Sequence, residues 1–315
     1  MKILLVGAGP MAIEYAKVLD ALKADYDVVG RGESSASAFE QATGRTVIRG
    51  GLKTINDASS YDKAIIVVGE NLLGEVAREA ILMGIKDILI EKPGGLTIED
   101  IISVKACADQ NGAAIYVGYN RRYYASVARA KEMIEEDGGV TSFHFEFTEW
   151  SHVIEPLVKA EGVKESWMLA NSSHIIDLAF YLGGKPNEMD SYVAGSLCWH
   201  PSAARFAGAG VSVNGSLFTY FANWDAPGRW GIEVLTKKHR LIFRPLEKLQ
   251  IQKLGSIKIE DVEINDDLDI RYKPGIYLQV KYYLESRVEG LTTINEQCGM
   301  LPYYDRIAGN KSEIV

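Results

Sequence analysis

Cysteine is scarce. Cys107, Cys198 and Cys298 stand far apart, with no C-x-x-C pair and no Cys/His ligand spacing. That pattern gives neither a disulfide framework nor a zinc site. No metal is expected, and a reducing, cytoplasmic setting is the simplest expectation. Basic clusters are missing too: the formal net charge is −8, and Arg121-Arg122 and Lys237-Lys238 are isolated pairs. Phosphate-backbone binding needs grouped Lys and Arg, so a nucleic-acid partner is not expected. No apolar run reaches the roughly 18 residues of a membrane span. The opening Ile3-Leu4-Leu5-Val6 stops at Gly7, too short for a signal-peptide core.

What is present suits a globular chain of two domains. The 315 residues are 47% hydrophobic, enough for a sizeable core. The first third alternates short apolar runs with helical patterns: Ile3–Val6, a helix over Met11–Leu22, Val28-Val29, a helix over Ala36–Thr43, Val47-Ile48, Ala64–Val68, a helix over Leu73–Met83, Asp87–Ile90, a helix over Ile98–Gln110, and Ala114–Val117. Strands without polar alternation, separated by helices, predict a parallel sheet covered on both faces. The fold class expected is α/β: a doubly wound Rossmann domain over residues 1–118.

Beyond it, a helix over Ser126–Glu136 precedes alternating stretches at Thr141–Trp150, Asp190–Trp199, Val211–Trp224, Gly231–Thr236 and Arg240–Arg244. Alternation predicts an open, mainly antiparallel sheet in an α+β domain over 119–315. Helices are predicted over Ser173–Leu182, Ile276–Glu289 and Asn295–Ile307. The face that such a sheet leaves bare predicts a homodimer or homotetramer through it.

Gly7-Ala8-Gly9-Pro10-Met11-Ala12 fits G-x-G-x-x-G/A, between a strand and a helix. Gly7 allows the tight turn, Gly9 lets backbone approach a pyrophosphate, and small Ala12 lets helix and strand pack closely. The helix N-terminus at Pro10-Met11 offers N–H groups to the phosphates. At the end of the second strand, Gly30 takes the place where an NAD protein commonly carries a carboxylate. Arg31 follows, with Ser34 and Ser35 near it. A guanidinium suits a 2′-phosphate, so NADP is preferred over NAD, with Glu33 on the ribose as the rival arrangement.

Glu91-Lys92-Pro93 ends a buried strand, at the sheet edge where such folds bind ligands. An ammonium there can polarise a carbonyl or steady a developing alkoxide. With the fingerprint, this triplet, the junction Gly118-Tyr119-Asn120-Arg121-Arg122-Tyr123 and the helix motif His174-Ile175-Ile176-Asp177, the chain resembles the glucose-fructose oxidoreductase / inositol dehydrogenase (Gfo/Idh/MocA) family nearly end to end.

The resemblance implies a reversible NAD(P)-dependent oxidoreductase acting on a sugar or nucleotide-linked sugar. Lys92 and His174 are then the catalytic pair. Glu91, Lys92 and Asn71 adjoin the cofactor, while Asn120, Arg121, Trp167, Asn171 and Asp177 join Lys92 and His174 around substrate. His174 and Asp177 share a helix face, and Asn171 and Ser172 are placed as N-cap residues. An imidazole titrates near neutrality, as proton transfer to a hydroxyl requires.

Two departures stand out. Many members carry Asp four residues before the histidine, where this chain has Ala170. The frequent Thr-Pro-Asn is Gly69-Glu70-Asn71, and a histidine common three positions further is Gly74. They keep open a reductase of a non-carbohydrate carbonyl or imine, or a cofactor-sensing regulator without chemistry. Segments 153–165 and 200–208 are read as the loops that choose substrate.

Overall fold

The computed structural model describes residues 1–310. It divides into one unit of Met1–Asn120 with Leu268–Gly299, and another of Arg121–Asp267 with the chain from Met300 onward. The first crossing falls beside the expected boundary at 118. The second domain is not continuous, however, because residues 268–299 return to the first unit.

The first unit is built on β1 (Lys2–Val6), α1 (Pro10–Ala21), β2 (Asp25–Gly30), α2 (Glu33–Thr43), β3 (Val47–Arg49), β4 (Lys63–Ile66), α3 (Leu73–Leu82), β5 (Asp87–Glu91), α4 (Ile98–Asn111) and β6 (Ala114–Gly118). The strands lie in the order β6-β5-β4-β1-β2-β3, all parallel. Leu4, Leu5, Ile65, Ile66, Leu89 and Ile90 are wholly buried, as continuous apolar runs covered on both faces must be.

The second unit follows with α5 (Ala125–Glu136), β7 (Ser142–Glu146), a short α6 (Ser151–Ile154), α7 (Ser173–Gly183), β8 (Pro186–Ala194), β9 (Arg205–Ser212), β10 (Leu217–Asn223), β11 (Gly231–Leu235), β12 (His239–Phe243), β13 (Gln250–Lys253) and β14 (Ile259–Asp261). Its sheet runs β14-β13-β12-β11-β7-β10-β9-β8 and is antiparallel except where β7 meets β10. The wholly buried α7 residues Ile175, Ile176, Leu178 and Ala179 belong to a helix that packs on β7 and β11.

The returning segment explains its own assignment. After α8 (Asp267–Arg271) comes α9 (Ile276–Leu284), whose Tyr283 is fully buried. The Tyr283 hydroxyl lies 3.0 Å from Ala64 O and 2.8 Å from Asp87 O, at the starts of β4 and β5. β15 (Thr292–Thr293) then pairs antiparallel with β6. The division between units falls inside α10 (Ile294–Ile307). Among the described residues no helix is long and apolar enough to cross a membrane, and no cluster of His, Cys, Asp or Glu could hold a metal.

Candidate active site

The glycine turn has the shape its sequence demands. Gly7 sits at φ +121°, and a Cβ there would come within 2.1 Å of Val67 O, so no side chain fits. Gly9 caps α1 with extended backbone, and a Cβ on it would meet nothing within 4 Å. Open space therefore lies beside Gly9 at the N-terminus of α1, whose first-turn N–H groups the helix itself leaves unpaired. Pro10 stands where a missing N–H is harmless, and Ala12 is fully buried. This cradle fits a dinucleotide pyrophosphate.

The adenosine end is equally constrained. A Cβ on Gly30 would lie 3.0 Å from Ala8 Cβ and 3.2 Å from Val47 Cγ1, so a carboxylate is packed out of that position. Glu33 is engaged elsewhere: Arg49 Nε donates to it at 2.8 Å and holds its carboxyl below the usual range. Arg49 also grips Glu40, whose carboxyl is lowered to about 2. Arg31 is exposed and makes no hydrogen bond or ion pair among the described residues. Ser34 is exposed in the first turn of α2, while Ser35 Oγ donates to Gly32 O at 3.0 Å.

Lys92 leaves β5 in a tight turn that closes with Gly94 N on Glu91 O at 3.1 Å, and the Lys92–Pro93 bond is cis. Neighbours in the same unit fix this turn. Fully buried Gln297 donates to Pro93 O at 3.0 Å and lies 3.1 Å from the Tyr119 hydroxyl. Fully buried Tyr15 donates to Glu91 Oε1 at 2.7 Å. Burial raises the Glu91 carboxyl above its ordinary range, against the opposing pull of the Tyr15 hydrogen bond and the Lys92 charge. Asn120 is buried and donates to Pro274 O at 2.8 Å. Asn71 is exposed on a single 3-10 turn, Glu70–Leu72.

Gly74 explains one departure from the resembled pattern. A Cβ there would fall 2.1 Å from Asp100 Oδ1, so the Asp100 carboxylate occupies the space that a histidine would need. Arg78 Nη1 holds that carboxylate at 2.6 Å and Leu96 N at 3.0 Å. Gly74→Ala would gain about 1 kcal/mol of helix propensity, yet overpacking costs about 1–3 kcal/mol. The expected net loss of about 1 kcal/mol is read by thermal or urea unfolding; an unchanged or raised midpoint would contradict it.

The second unit assembles its own constellation. Before α7, Met168–Ser172 form a π-helical turn, a feature that recurs at functional sites. Ser172 stands at the N-cap of α7, as its sequence position suggests, but neither its side chain nor that of Asn171 makes the cap hydrogen bond. Asn171 Nδ2 donates at 2.9 Å, and Ser172 Oγ at 2.7 Å, to Oε1 of Glu149. Glu149 is 2% exposed, and burial pushes its carboxyl up, against those two hydrogen bonds and the charge of Arg229. The antiparallel register Gly231↔Glu146 runs Arg229 and Trp230 back beside the residues that follow β7. Arg229 Nη1 accordingly stands 3.6 Å from Glu149 Oε2, and the His174 and Trp230 ring centroids are 6.4 Å apart.

The remaining sequence candidates divide. The Arg121 guanidinium lies 4.8 Å from the Trp230 ring centroid, in this constellation. Asp177 is committed elsewhere: Arg122 Nε and Nη2 bind its two oxygens at 2.8 and 2.5 Å. Trp167 is buried, edge-on to Trp199 at 5.9 Å. Segment 200–208 is not a free loop. His200, Ala203, Ala204 and Phe206 are buried, Arg205 opens β9, and Trp224 stacks on Trp199 at 5.5 Å. Sequence reasoning missed Glu149, Arg229, Trp230, Tyr15 and Gln297, whose roles depend on strand register and on the returning segment.

Residues 1–119 match the family model described as "Oxidoreductase family, NAD-binding Rossmann fold", that of Gfo/Idh/MocA. A 1-carboxy-3-chloro-3,4-dihydroxycyclohexa-1,5-diene dehydrogenase from Comamonas testosteroni is 38% identical over 50 residues, which span 16% of this chain and 13% of that protein. Two solved structures share the fold. Levoglucosan dehydrogenase in complex with NADH has TM-score 0.79 and 17% identity over 98% of this chain and 96% of its own. UDP-N-acetylglucosamine 3-dehydrogenase from Acidithiobacillus ferrooxidans has TM-score 0.74 and 14% identity over 98% and 97%.

Proposed function

We propose that this chain, an NAD(P)-binding oxidoreductase of the Gfo/Idh/MocA family, interconverts a secondary hydroxyl and a carbonyl on a sugar or nucleotide-linked sugar. The bound nicotinamide dinucleotide supplies the acceptor or donor of the two electrons. The observation that carries the reading is the Glu91-Lys92-Pro93 turn, pinned by Tyr15 and Gln297 at the carboxyl end of β5. These bonds fix the backbone turn from which the Lys92 side chain leaves, so less positioning is left for the side chain to find when it meets a reacting oxygen. Its ammonium stabilises the charge that grows on that oxygen. His174 of α7, to which the resemblance gives the general-base role, takes or returns the hydroxyl proton. Glu149 fixes the π-turn that leads into His174 through Asn171 and Ser172. The named relatives are dehydrogenases of sugars or of a dihydroxy ring compound, which supports the same chemistry.

NADP is the preferred cofactor in this reading, because Gly30 admits no carboxylate, Glu33 is engaged by Arg49, and Arg31 is available. Arg31→Asp is expected to lower the NADP/NAD ratio of kcat/KM about tenfold or more, the worth of one charged hydrogen bond. An unchanged ratio would move phosphate recognition to other residues. Segregation of exposed Tyr192 and Phe221 opposite Ala207 in adjacent strands supports a homo-oligomer through the second-unit sheet. Light scattering of the purified chain reads its mass. A cytoplasmic setting belongs to the same reading, with Cys107, Cys198 and Cys298 all free.

The deciding experiment follows nicotinamide fluorescence with a panel of sugars, nucleotide sugars, and non-carbohydrate ketones and imines. Turnover on a carbohydrate supports the proposal. Turnover confined to the other compounds would select the reductase alternative, which Ala170 keeps in view. Tight cofactor binding with no turnover on any of them would make the chain a sensor.

A further inference from the structure

The second unit places two guanidinium groups on one indole. Arg121 Cζ lies 4.8 Å and Arg229 Cζ 5.2 Å from the Trp230 ring centroid, and Arg229 also covers Trp150 at 4.7 Å. Trp150 is fixed in turn by Nε1 donating to Gly228 O at 2.8 Å. The only carboxylate ion-paired to either arginine among the described residues is Glu149, at 3.6 Å from Arg229. The Arg121 guanidinium has no ion pair and no hydrogen bond there. Its pKa is lowered by burial, and the nearby Arg229 charge adds to that. Trp230 Nε1 is buried without a hydrogen-bond partner. Two cations and an orphaned donor thus gather at one place, where Tyr124, Glu247 and Glu149 act on Arg121 against the burial and the Arg229 charge, and only Glu149 comes within ion-pair distance of either guanidinium among the described residues.

Like charges that stay this close and part-buried are unfavourable unless an anion joins them. A stacked guanidinium still presents its N–H edge, which matches an oxyanion in a planar fork. The half-exposed Trp150 indole beside Arg229 offers an apolar surface of the kind on which a sugar ring rests, while buried Trp230 contributes its Nε1–H. His174, with its ring 6.4 Å from Trp230, puts a proton-transfer group next to the same place.

We propose that Arg121, Arg229 and Trp230 form an oxyanion subsite, and that the molecule bound here is a polyol or sugar carrying a carboxylate or a phosphate. The inference rests on the reading above only in making this ligand the substrate; the binding itself is independent of turnover. Trp150 and Trp230 report it directly.

Full-length protein is titrated with D-glucuronate, D-glucose 6-phosphate and neutral D-glucose at fixed low ionic strength, by tryptophan fluorescence and calorimetry without cofactor. Glucuronate or glucose 6-phosphate is expected to bind at least about tenfold more tightly than glucose. The tighter of the two names the oxyanion as carboxylate or phosphate. Arg121→Gln and Arg229→Gln should each remove that preference, with unchanged circular dichroism. Arg121→Lys keeps the charge but not the fork and should retain part of it, which gives a reading even where the Gln variant fails to fold. Equal binding of all three ligands, no binding of either oxyanion at millimolar concentration, or a preference intact in the folded variants would overturn the subsite. Loss of turnover on every carbonyl with the preference intact would overturn the oxidoreductase reading alone.

Discussion

Lys92→Ala is expected to lower turnover about 10²–10³-fold, the usual effect of removing one donor from a developing oxyanion, while cofactor affinity changes little. The two effects separate because the groups are separate. In the proposed arrangement pyrophosphate is met by the Gly7–Ala12 turn and the first turn of α1, and the adenosine end by Arg31, while α1 reaches the Glu91–Gly94 turn through Tyr15, which bonds the Glu91 side chain and not Lys92. Cofactor affinity from fluorescence, set beside kcat on the best substrate of the panel, makes the comparison. Gln297→Ala serves as the second arm, because it frees Pro93 O and loosens the turn without removing the ammonium. It should reduce kcat by a smaller factor than Lys92→Ala. A Lys92→Ala variant with wild-type turnover would remove the lysine from the chemistry.

Much of the first unit was readable because its strands are buried on both faces. Ile3–Val6, Ala64–Val68 and Ile88–Ile90 are apolar throughout, and each lies in a strand of the parallel sheet. The second unit was readable only where burial is one-sided and the residues are large. β10 alternates Phe218, Tyr220 and Ala222 inward, and it was legible. β13 (Gln250–Lys253) and β14 (Ile259–Asp261) have no fully buried residue, so they left no apolar period to detect. β9 is hidden by Ala207, Gly208, Ala209 and Gly210. Val211–Trp224 read as one stretch, yet it holds the end of β9, a turn at Asn214-Gly215, and β10. The Asn-Gly pair is a strong hairpin signal that would have split it.

The candidate site shows the same limit in sharper form. Motif residues that sit on one element, Gly7 to Ala12 and Glu91 to Pro93, announce themselves locally. Glu149, Arg229 and Trp230 do not, since only the β7–β11 register brings them together. Nor does the return of residues 268–299, because the burial of Tyr283 and Gln297 comes from tertiary packing and carries no periodic mark of its own. Ala170 stands where the resembled pattern has an acid beside the histidine helix. The structure supplies a carboxylate to that turn from Glu149, twenty-one residues upstream, through Asn171 and Ser172.

Asp177 is where stability and substrate contact can be told apart. Its carboxylate is 3% exposed and receives both prongs of Arg122, whose side chain is 11% exposed and also lies 4.6 Å over the Tyr181 ring. Asp177→Ala leaves that guanidinium buried without its partner, a loss of about 3–5 kcal/mol. At about 2–4 °C per kcal/mol, the melting midpoint of the second unit should fall roughly 6–20 °C. Replacing both residues, with Arg122→Met and Asp177→Leu, should cost less than Asp177→Ala alone, because no unpaired charge remains. A residue whose main work was to bind substrate would behave differently. Asp177→Ala would then melt within about 1 kcal/mol of wild type, with the change confined to KM. Since both carboxylate oxygens accept from Arg122, the large melting shift is the expected outcome, and His174, one helical turn before Asp177, should lose its place with it.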